Sequence, residues 1–274
     1  MRFNKYVVII ILVLCLNFVA TAQAWLFWGS SEVKINNSNF PDDNFREYVR
    51  KNFDTDSNGT LSDEEIINAK EINVKSSNIN SLKGIEFLTA LTTLDCSSNQ
   101  IIDLDISKNT ALLHLRCFNN QIRELDISKN TALTTAWCFN NQLSELDVSK
   151  NTTLITLWCF NNQLSELEVS KNTSLTGLWC FENQLTRLDV SKNTRLTGLW
   201  CSNNQMRELD ISNNTALIHL DCENNKLKEL DISKNAALTV LYCSGNQLTE
   251  LDISKNMNLT EPELHCDPQT KIIR

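Results

Sequence analysis

The chain of 274 residues contains only six glycines and three prolines. This scarcity excludes collagen-like and linker-rich proteins, and it excludes calcium-binding β-rolls, whose turns require a glycine every few residues. Acidic residues outnumber lysine and arginine, which gives a formal net charge of −8. Because phosphate backbones are bound by clustered cations, nucleic acid is not expected as a partner. A hydrophobic content of 42% is sufficient for one large folded domain or two ordinary ones.

Long apolar runs are also scarce. The run at residues 7–20 covers 14 residues, whereas crossing a membrane takes ~20. It follows two basic residues and precedes the small residues Ala22 and Ala24, which is the pattern of a secretory signal peptide. We therefore predict that residues 1–24 are removed. The mature chain is expected to be secreted, periplasmic or at the cell surface, without membrane insertion.

Cysteine recurs every 21 residues, at Cys96, Cys117, Cys138, Cys159, Cys180, Cys201, Cys222 and Cys243. Each copy of the repeat contains the phrase Leu-x-x-Leu-x-φ-x-x-Asn twice, where φ is apolar. This period and phrase are typical of leucine-rich repeats, in which each copy forms one coil of a solenoid. We predict a β-rich solenoid with two short parallel ladders and about nine coils. An irregular coil at 69–90 precedes eight regular coils at 91–258, and a short C-terminal cap or tail follows at 259–274.

Side chains alternate in direction along a strand, so the repeat cysteines face inward and both of their neighbours face outward. Buried thiols act as small core hydrophobes, and we expect them to be free. A disulfide ladder is the alternative, but in-register side chains on parallel strands point the same way. Zinc is disfavoured because the sequence has no Cys-x-x-Cys pair. Cys266 lies outside the 21-residue register and is a candidate for exposure.

The outward positions beside the cysteines carry aromatic residues. The residues just before and just after cysteine include Trp137, Trp158, Trp179, Trp200 and Tyr242, and Phe118, Phe139, Phe160 and Phe181. Exposed aromatic patches mark interaction surfaces, because aromatic residues dominate binding hot spots. We predict that these nine residues bind a protein or peptide and that the chain is a monomer. The alternatives are a glycan stacked on the indoles and a ligand-free structural protein whose rings stack only on one another.

A second outward stripe is acidic, and we call it the acidic stripe: Asp105, Asp126, Asp147, Glu168, Asp189, Asp210, Asp231 and Asp252. Lysines run beside it, so we interpret it as a solubilising face, with bound cations as the alternative. Identical carboxylates repeated eight times lack the asymmetry that acid and nucleophile roles require. The sequence contains no phosphate-binding loop or nucleophile elbow, and no enzymatic activity is predicted.

A different motif lies within residues 25–68. From Asp54 to Glu65 the sequence matches the EF-hand calcium loop, with Gly59 at its sharp turn. Flanking helices are expected at Asn44–Phe53 and from Ser62 to about Lys70. The predicted ligands of one structural calcium are Asp54, Asp56, Asn58, Thr60, Ser62 and Glu65. The alternative is a helix pair that keeps the shape without the ion.

An EF-hand-like helical cap joined to 21-residue leucine-rich repeats resembles the secreted internalin-like proteins of bacteria. The similarity covers essentially the whole mature chain. The resemblance implies a secreted or surface-exposed recognition protein that binds other proteins or host molecules through its sheet face. Because the sequence shows no wall-sorting signal and no immunoglobulin-like segment after the repeats, cell attachment and host invasion are not predicted.

Overall fold

The computed structural model describes residues 32–260 and 263–274, and the signal peptide predicted at 1–24 lies outside these ranges. The helices are α1 (Asp43–Phe53) and α2 (Asp63–Asn68), and a 3₁₀ turn covers Ile85–Phe87. The first helix begins one residue earlier than predicted, and the second ends about two residues earlier. Among the described residues, no helix combines the length and apolar character needed to cross a membrane.

One parallel sheet of ten short strands runs along the molecule, and its strands pair in the order of the chain. Its strands are β3 (Glu71–Asn73), β4 (Thr93–Asp95), β5 (His114–Arg116), β6 (Thr135–Trp137), β7 (Thr156–Trp158), β8 (Gly177–Trp179), β9 (Gly198–Trp200), β10 (His219–Asp221), β11 (Val240–Tyr242) and β13 (Leu264–His265). In the central coils each residue pairs with the residue 21 positions away, so Trp158 lies between Trp137 and Trp179. Repeat positions therefore form columns along the solenoid.

Two small sheets complete the fold. β1 (Val33–Lys34) and β2 (Thr60–Leu61) form an antiparallel pair. β12 (Glu250–Asp252) and β14 (Lys271–Ile273) form a second parallel sheet. The two predicted ladders are thus of very unequal size, because the second consists of this one strand pair.

In the central coils, the half that bears the acidic stripe is turns and extended chain. Its backbone groups find side-chain partners instead of a neighbouring strand. The Asp147 carboxylate accepts the N–H of Ser149, and Nδ2 of Asn151 donates to the carbonyl oxygens of Ile127 and Asn130. Since side chains of the same coil and of the next coil already satisfy these backbone groups, they are not available to a long second ladder.

The C-terminal tail extends the solenoid by one strand. About nine coils are predicted, but the tail returns to the sheet as β13 and adds a tenth strand. Cys266 follows that strand, so it continues the cysteine column next to Cys243 although it lies 23 residues further along the chain. It is partly exposed. The 21-residue register hides this arrangement, because the last coil is two residues longer.

Inward columns of leucine, isoleucine, valine and cysteine form one continuous core, and its members are at most 8% exposed. Full burial of one such aliphatic side chain stabilises the fold by ~1.5–3 kcal/mol. Each coil contacts only its neighbours, so this stabilisation accumulates along the stack and the end coils need covering.

Two columns of asparagine hold the turns of the coils. In the first column, Nδ2 of Asn162 donates to the carbonyl oxygens of Cys138 and Cys159, and its Oδ1 accepts the N–H of Leu143. In the second column, Nδ2 of Asn172 also donates to two carbonyl oxygens, but its buried Oδ1 has no hydrogen-bond partner. The two halves of a coil therefore differ in how completely their buried polar groups are satisfied.

The N-terminal helical segment packs on the first coil. Asp42 caps α1 by accepting the N–H of Phe45, and its second carboxylate oxygen accepts the N–H of Asn80 in that coil. The Phe40 ring contacts the rings of Phe45 and Phe87 at 6.0 and 5.9 Å between centroids. These contacts cover the apolar end of the solenoid.

Candidate recognition surface and metal-binding loop

The strands of the main sheet place sulfur inside and aromatic rings outside. The repeat cysteines are at most 1% exposed, whereas the tryptophans before them and the phenylalanines after them are partly exposed. This arrangement confirms the predicted register of the strands. We call the eight exposed rings of the central coils the aromatic face: Trp137, Trp158, Trp179, Trp200, Phe118, Phe139, Phe160 and Phe181.

Both columns of the aromatic face are stacked. The four phenylalanine rings follow one another at 4.2–4.3 Å between centroids, with planes within 12° of parallel. Trp137 stacks on Trp158 at 4.2 Å, and Trp179 stacks on Trp200 at 4.1 Å. These separations are shorter than the ~4.8 Å between strands, so the rings of neighbouring coils lie closer together than their backbones. The stacking orders the rings and leaves them partly exposed, but the indole N–H groups of Trp137 and Trp158 are buried without a hydrogen-bond partner.

The tryptophan column is interrupted at its centre. Trp158 and Trp179 are 4.9 Å apart with planes at 52°, so the column consists of two stacked pairs in two orientations. Glycine explains the second orientation. A Cβ on Gly177 would overlap the Trp179 ring, and a Cβ on Gly198 would overlap the Trp200 ring. The space that these glycines open is therefore filled by the indoles themselves, which lie back over their own strands.

An open cleft of about 250 Å³ lies beside this second pair. Its walls include Thr156, Gly177, Trp179, Trp200 and His219. The cleft is lined mainly by ring and methyl surface, with a histidine at one end. Its size and lining suit an apolar side chain.

At the end nearest the helical segment, cations approach the aromatic face. The Arg116 guanidinium lies 4.9 Å from the Trp137 ring centroid, and the Lys75 ammonium lies 5.8 Å from that of Phe118. Both distances are within the range of cation–π attraction. Cations thus border the first rings of both columns.

Two histidines extend the aromatic surface at the opposite end, beyond the residues predicted from the sequence. His219 stacks on Trp200 at 4.5 Å, and His265 stacks on Tyr242 at 4.3 Å. Tyr242 meets the ring of His219 edge-on at 5.5 Å. It therefore joins the tryptophan column through His219, because Asp221 occupies the intervening position. The sequence signal that could have revealed this extension is His219, which occupies the repeat position of Gly198 in the next coil.

On the opposite half of each coil, the residues of the acidic stripe are exposed. Each carboxylate accepts the N–H of the serine two residues later, as Asp126 does from Ser128 at 2.8 Å. This bond and the serine hydroxyl lower the pKa of Asp126. The carboxylates are thus held in local turns, one in each coil, and Glu168, Asp189, Asp210 and Asp231 line one open groove of about 700 Å³.

The predicted calcium loop folds as a turn between α1 and α2. Gly59 has a positive φ of 81°, which permits the sharp turn. Carboxylate oxygens of Asp54, Asp56 and Glu65 lie within 4.8 Å of one another. Leu61 pairs with Val33 between β2 and β1, so a strand outside the motif supports the loop.

Internal hydrogen bonds orient the loop's oxygens. Asp54 accepts the N–H groups of Asn58 and Gly59, and Asn58 Oδ1 accepts the N–H of Thr60. Ser62 caps α2 and forms the expected capping box with Glu65. Oxygen donors of this kind match the preference of calcium for carboxylate, amide and hydroxyl ligands.

Glu65 is anionic in this setting. Its burial opposes ionisation, but hydrogen bonds from the N–H and hydroxyl groups of Ser62 and Thr55 outweigh it and lower the pKa of Glu65 to about 2. The loop therefore presents a fixed negative charge at its closing position.

Comparison with known proteins found no matching family model. Over 71 residues, or 26% of the chain, the sequence is 41% identical to internalin J of Listeria monocytogenes, and this segment is 8% of that protein. The solved functional domain of InlJ from Listeria monocytogenes, which includes a cysteine ladder, is 34% identical with a TM-score of 0.71. That match covers 89% of this chain and 62% of the solved domain.

A further solved structure has the same fold. Internalin C2 of Listeria monocytogenes matches with a TM-score of 0.67 at 18% identity, over 80% of this chain and 96% of that one. The parallel solenoid agrees with both solved structures, and the cysteine column agrees with the cysteine ladder of the InlJ domain. The chain is a leucine-rich repeat solenoid that is similar in sequence and fold to internalins.

Proposed function

We propose that the chain recognises a protein or peptide through the aromatic face. Its repeat architecture is that of a protein-interaction module, as in its internalin relatives. The observation that carries the proposal is the presence of eight partly exposed rings in two stacked columns. Clustered aromatic surface of this kind is rarely left without a partner. The stacked rings are already ordered, so binding costs little conformational entropy.

The cleft beside Trp179 and Trp200 is the expected anchor point. It is concave, and it is lined by both indoles of the second tryptophan pair. Hot spots concentrate where an apolar side chain enters a pocket and excludes water. An extended peptide lying along the columns would place one large apolar residue there.

A displayed library of random peptides tests this function. Peptides selected on the wild-type chain are expected to lose at least about tenfold in affinity on a Trp158→Ala/Trp179→Ala variant, which corresponds to ~1.4 kcal/mol. The matched control is Asp147→Asn/Asp189→Asn on the acidic stripe, which should bind normally. Circular dichroism should show that both variants remain folded. Equal binding to both variants contradicts the proposed surface.

A glycan array run with the same variants separates the alternative ligand class. The aromatic face would be assigned to glycans if the wild-type chain selects no peptide but binds a sugar, and if this sugar binding is insensitive to salt and lost in the tryptophan variant. We further propose that the function is binding and not catalysis, since the acidic stripe spreads its carboxylates over separate coils.

Structural calcium in the loop is part of the same proposal. The oxygen set of Asp54, Asp56, Asn58, Thr60, Ser62 and Glu65 fits calcium in its chemistry, and the capping box orients Glu65. Extracellular loops of this type bind with a Kd of ~10⁻⁴–10⁻³ M. A ligand at ten to one hundred times its Kd stabilises the folded state by ~1.4–2.7 kcal/mol.

Thermal unfolding with and without calcium chloride tests the site. The wild-type Tm should rise when calcium is added and return to its calcium-free value when a chelator is added. Glu65→Gln should abolish the rise, whereas Glu64→Gln, one residue earlier on the exposed side of α2, should retain it. A Tm that responds equally in both variants, or in neither the wild type nor the control, contradicts a calcium site.

Export is proposed from the leader pattern. Amino-terminal sequencing of the chain recovered from a bacterial host that secretes it should begin at Trp25. Recovery of the full-length chain in the cytoplasmic fraction contradicts the prediction.

A further inference from the structure

The last strand of the main sheet carries Cys266 back to the cysteine column. β13 pairs in register with β11, so that Leu264 lies beside Leu241 and His265 beside Tyr242. The N–H of Cys243 donates to the carbonyl oxygen of His265 at 2.8 Å. Cys266 therefore occupies the rung next to Cys243.

At this rung the two thiols are in contact. Sγ of Cys243 and Sγ of Cys266 are 2.8 Å apart, well inside the ~4.8 Å that separates parallel strands. Neighbouring strands also hold Cα atoms within the range that a disulfide spans, ~4.4–6.8 Å. No other pair of cysteines in the described ranges makes a thiol hydrogen bond. The terminal rung thus differs from the regular coils, whose cysteine thiols do not bond to one another.

Accessibility also distinguishes this rung. The other repeat cysteines are fully buried, and burial raises the pKa of Cys138 and Cys180 to about 12. Cys266 is partly exposed, and the hydrogen bond from Cys243 lowers its pKa. Because the thiolate is the reactive form, Cys266 is the cysteine of the ladder that an external oxidant can reach.

We propose that Cys243 and Cys266 form a disulfide that closes the C-terminal end of the solenoid. The oxidant is a small-molecule disulfide or a thiol–disulfide oxidoreductase. The Cys266 thiolate attacks one sulfur of the oxidant's disulfide and releases the first oxidant thiol. Cys243 then attacks Cys266 Sγ in the mixed disulfide and releases the second. The two protons of the cysteines end on the two released thiols, and two electrons pass to the oxidant.

The bond would tie β13 and the β12–β14 pair to the last regular coil. Solenoid ends have neighbours on one side only, so their strands open first. A covalent link across the 23-residue separation removes the most open states of this end from the unfolded ensemble. Oxidation is therefore expected to raise the Tm by roughly 5 °C.

Peptide mapping of the full chain tests the proposal. The protein is incubated with oxidised glutathione, unfolded in iodoacetamide and digested with trypsin. The expected product is a disulfide-linked pair of peptides 235–255 and 256–271, while the cysteines of the other rungs are alkylated. Reduction should release the two peptides and lower the Tm.

Two variants sharpen the result. Cys266→Ser should remove the linked pair and make the Tm independent of oxidation. Cys138→Ser, a matched change in a central rung, should leave the linked pair intact. Alkylation of both Cys243 and Cys266 after oxidation, a glutathione adduct that persists on Cys266, or a linkage between other rungs overturns the proposal.

Discussion

The two halves of each coil share one 21-residue period and use it in opposite ways. In the strand half, identical neighbours attract, because rings stack at 4.1–4.3 Å and strands exchange hydrogen bonds. In the acidic half, identical neighbours repel, and each carboxylate turns to the serine N–H of its own coil. In the strand half, repetition of aromatic side chains therefore produces a stacked surface. In the acidic half, repetition of carboxylates produces separate turns, one in each coil.

The largest test of this comparison uses the two asparagine columns. Asn162→Ala removes the donor to three carbonyl oxygens and the acceptor of a buried N–H, so we expect a loss of about 2–4 kcal/mol in the free energy of unfolding. Asn172→Ala removes two carbonyl partners but also a buried oxygen without a partner, and we expect about 1–2 kcal/mol. Urea unfolding measures both changes. Equal losses, or a larger loss for Asn172→Ala, would contradict the difference between the halves.

A smaller effect is expected where glycine sets the indole orientation. Gly177→Ala places a methyl group in the space that the Trp179 ring occupies, so the ring must swing away from the strand. Overpacking of this kind costs about 1 kcal/mol when a flexible side chain moves. The near-ultraviolet circular dichroism of the tryptophans should change, and selected peptides should bind more weakly.

The matched control is Thr156→Gly on the preceding coil, which gives Trp158 the space that Trp179 has. We expect it to move Trp158 toward the orientation of Trp179 without loss of peptide binding. Unchanged spectra in both variants would show that glycine does not determine the break in the column.

The smallest effect concerns acid stability. Hydrogen bonds from the serine two residues later lower the pKa of every residue in the acidic stripe. A carboxyl whose pKa is lower in the folded state stabilises the fold above its ordinary pKa, near 4, and this contribution is lost as the pH falls through the folded value. The free energy of unfolding should therefore fall below about pH 4.

Changing Asp126, Asp147, Asp189 and Asp210 together to Asn keeps an acceptor for each serine N–H and removes the titration. These carboxyl groups titrate roughly between pH 5 and pH 3. Over this range, the free energy of unfolding of the variant should fall less than that of the wild type. An identical pH dependence would place the acid sensitivity elsewhere.

The sequence predicted what the period and a local motif determine. Sulfur inward and ring outward follows from strand alternation at Cys159 and its neighbours, and the capping box of Ser62 and Glu65 follows from their spacing. Both depend on contacts within one coil or one helix turn. Such contacts recur with every sequence repeat and can therefore be predicted from it.

What the sequence did not predict depends on contacts between distant or competing groups. The acidic half contains residues with a preference for strands, but the carboxylate of Asp147 accepts the backbone N–H of Ser149 in a turn. That N–H is then not available to a neighbouring strand. Cys266 returns to the ladder because a longer last coil delivers it there. The tilt between Trp158 and Trp179 follows the change from Thr156 to Gly177 at one repeat position, and the sequence did not show that the indole itself would fill the space beside the glycine.

Hydroxyl-radical footprinting of the folded chain, free and saturated with a selected peptide, tests the recognition surface most directly. Mass spectrometry reads oxidation at each tryptophan, phenylalanine and cysteine. The free chain should be oxidised at the indoles and protected at the central cysteines, and the peptide should protect Trp179, Trp200 and adjoining rings while the acidic half stays unchanged. Protection confined to the acidic half, or indoles already unreactive in the free chain, would contradict a binding site on the aromatic face.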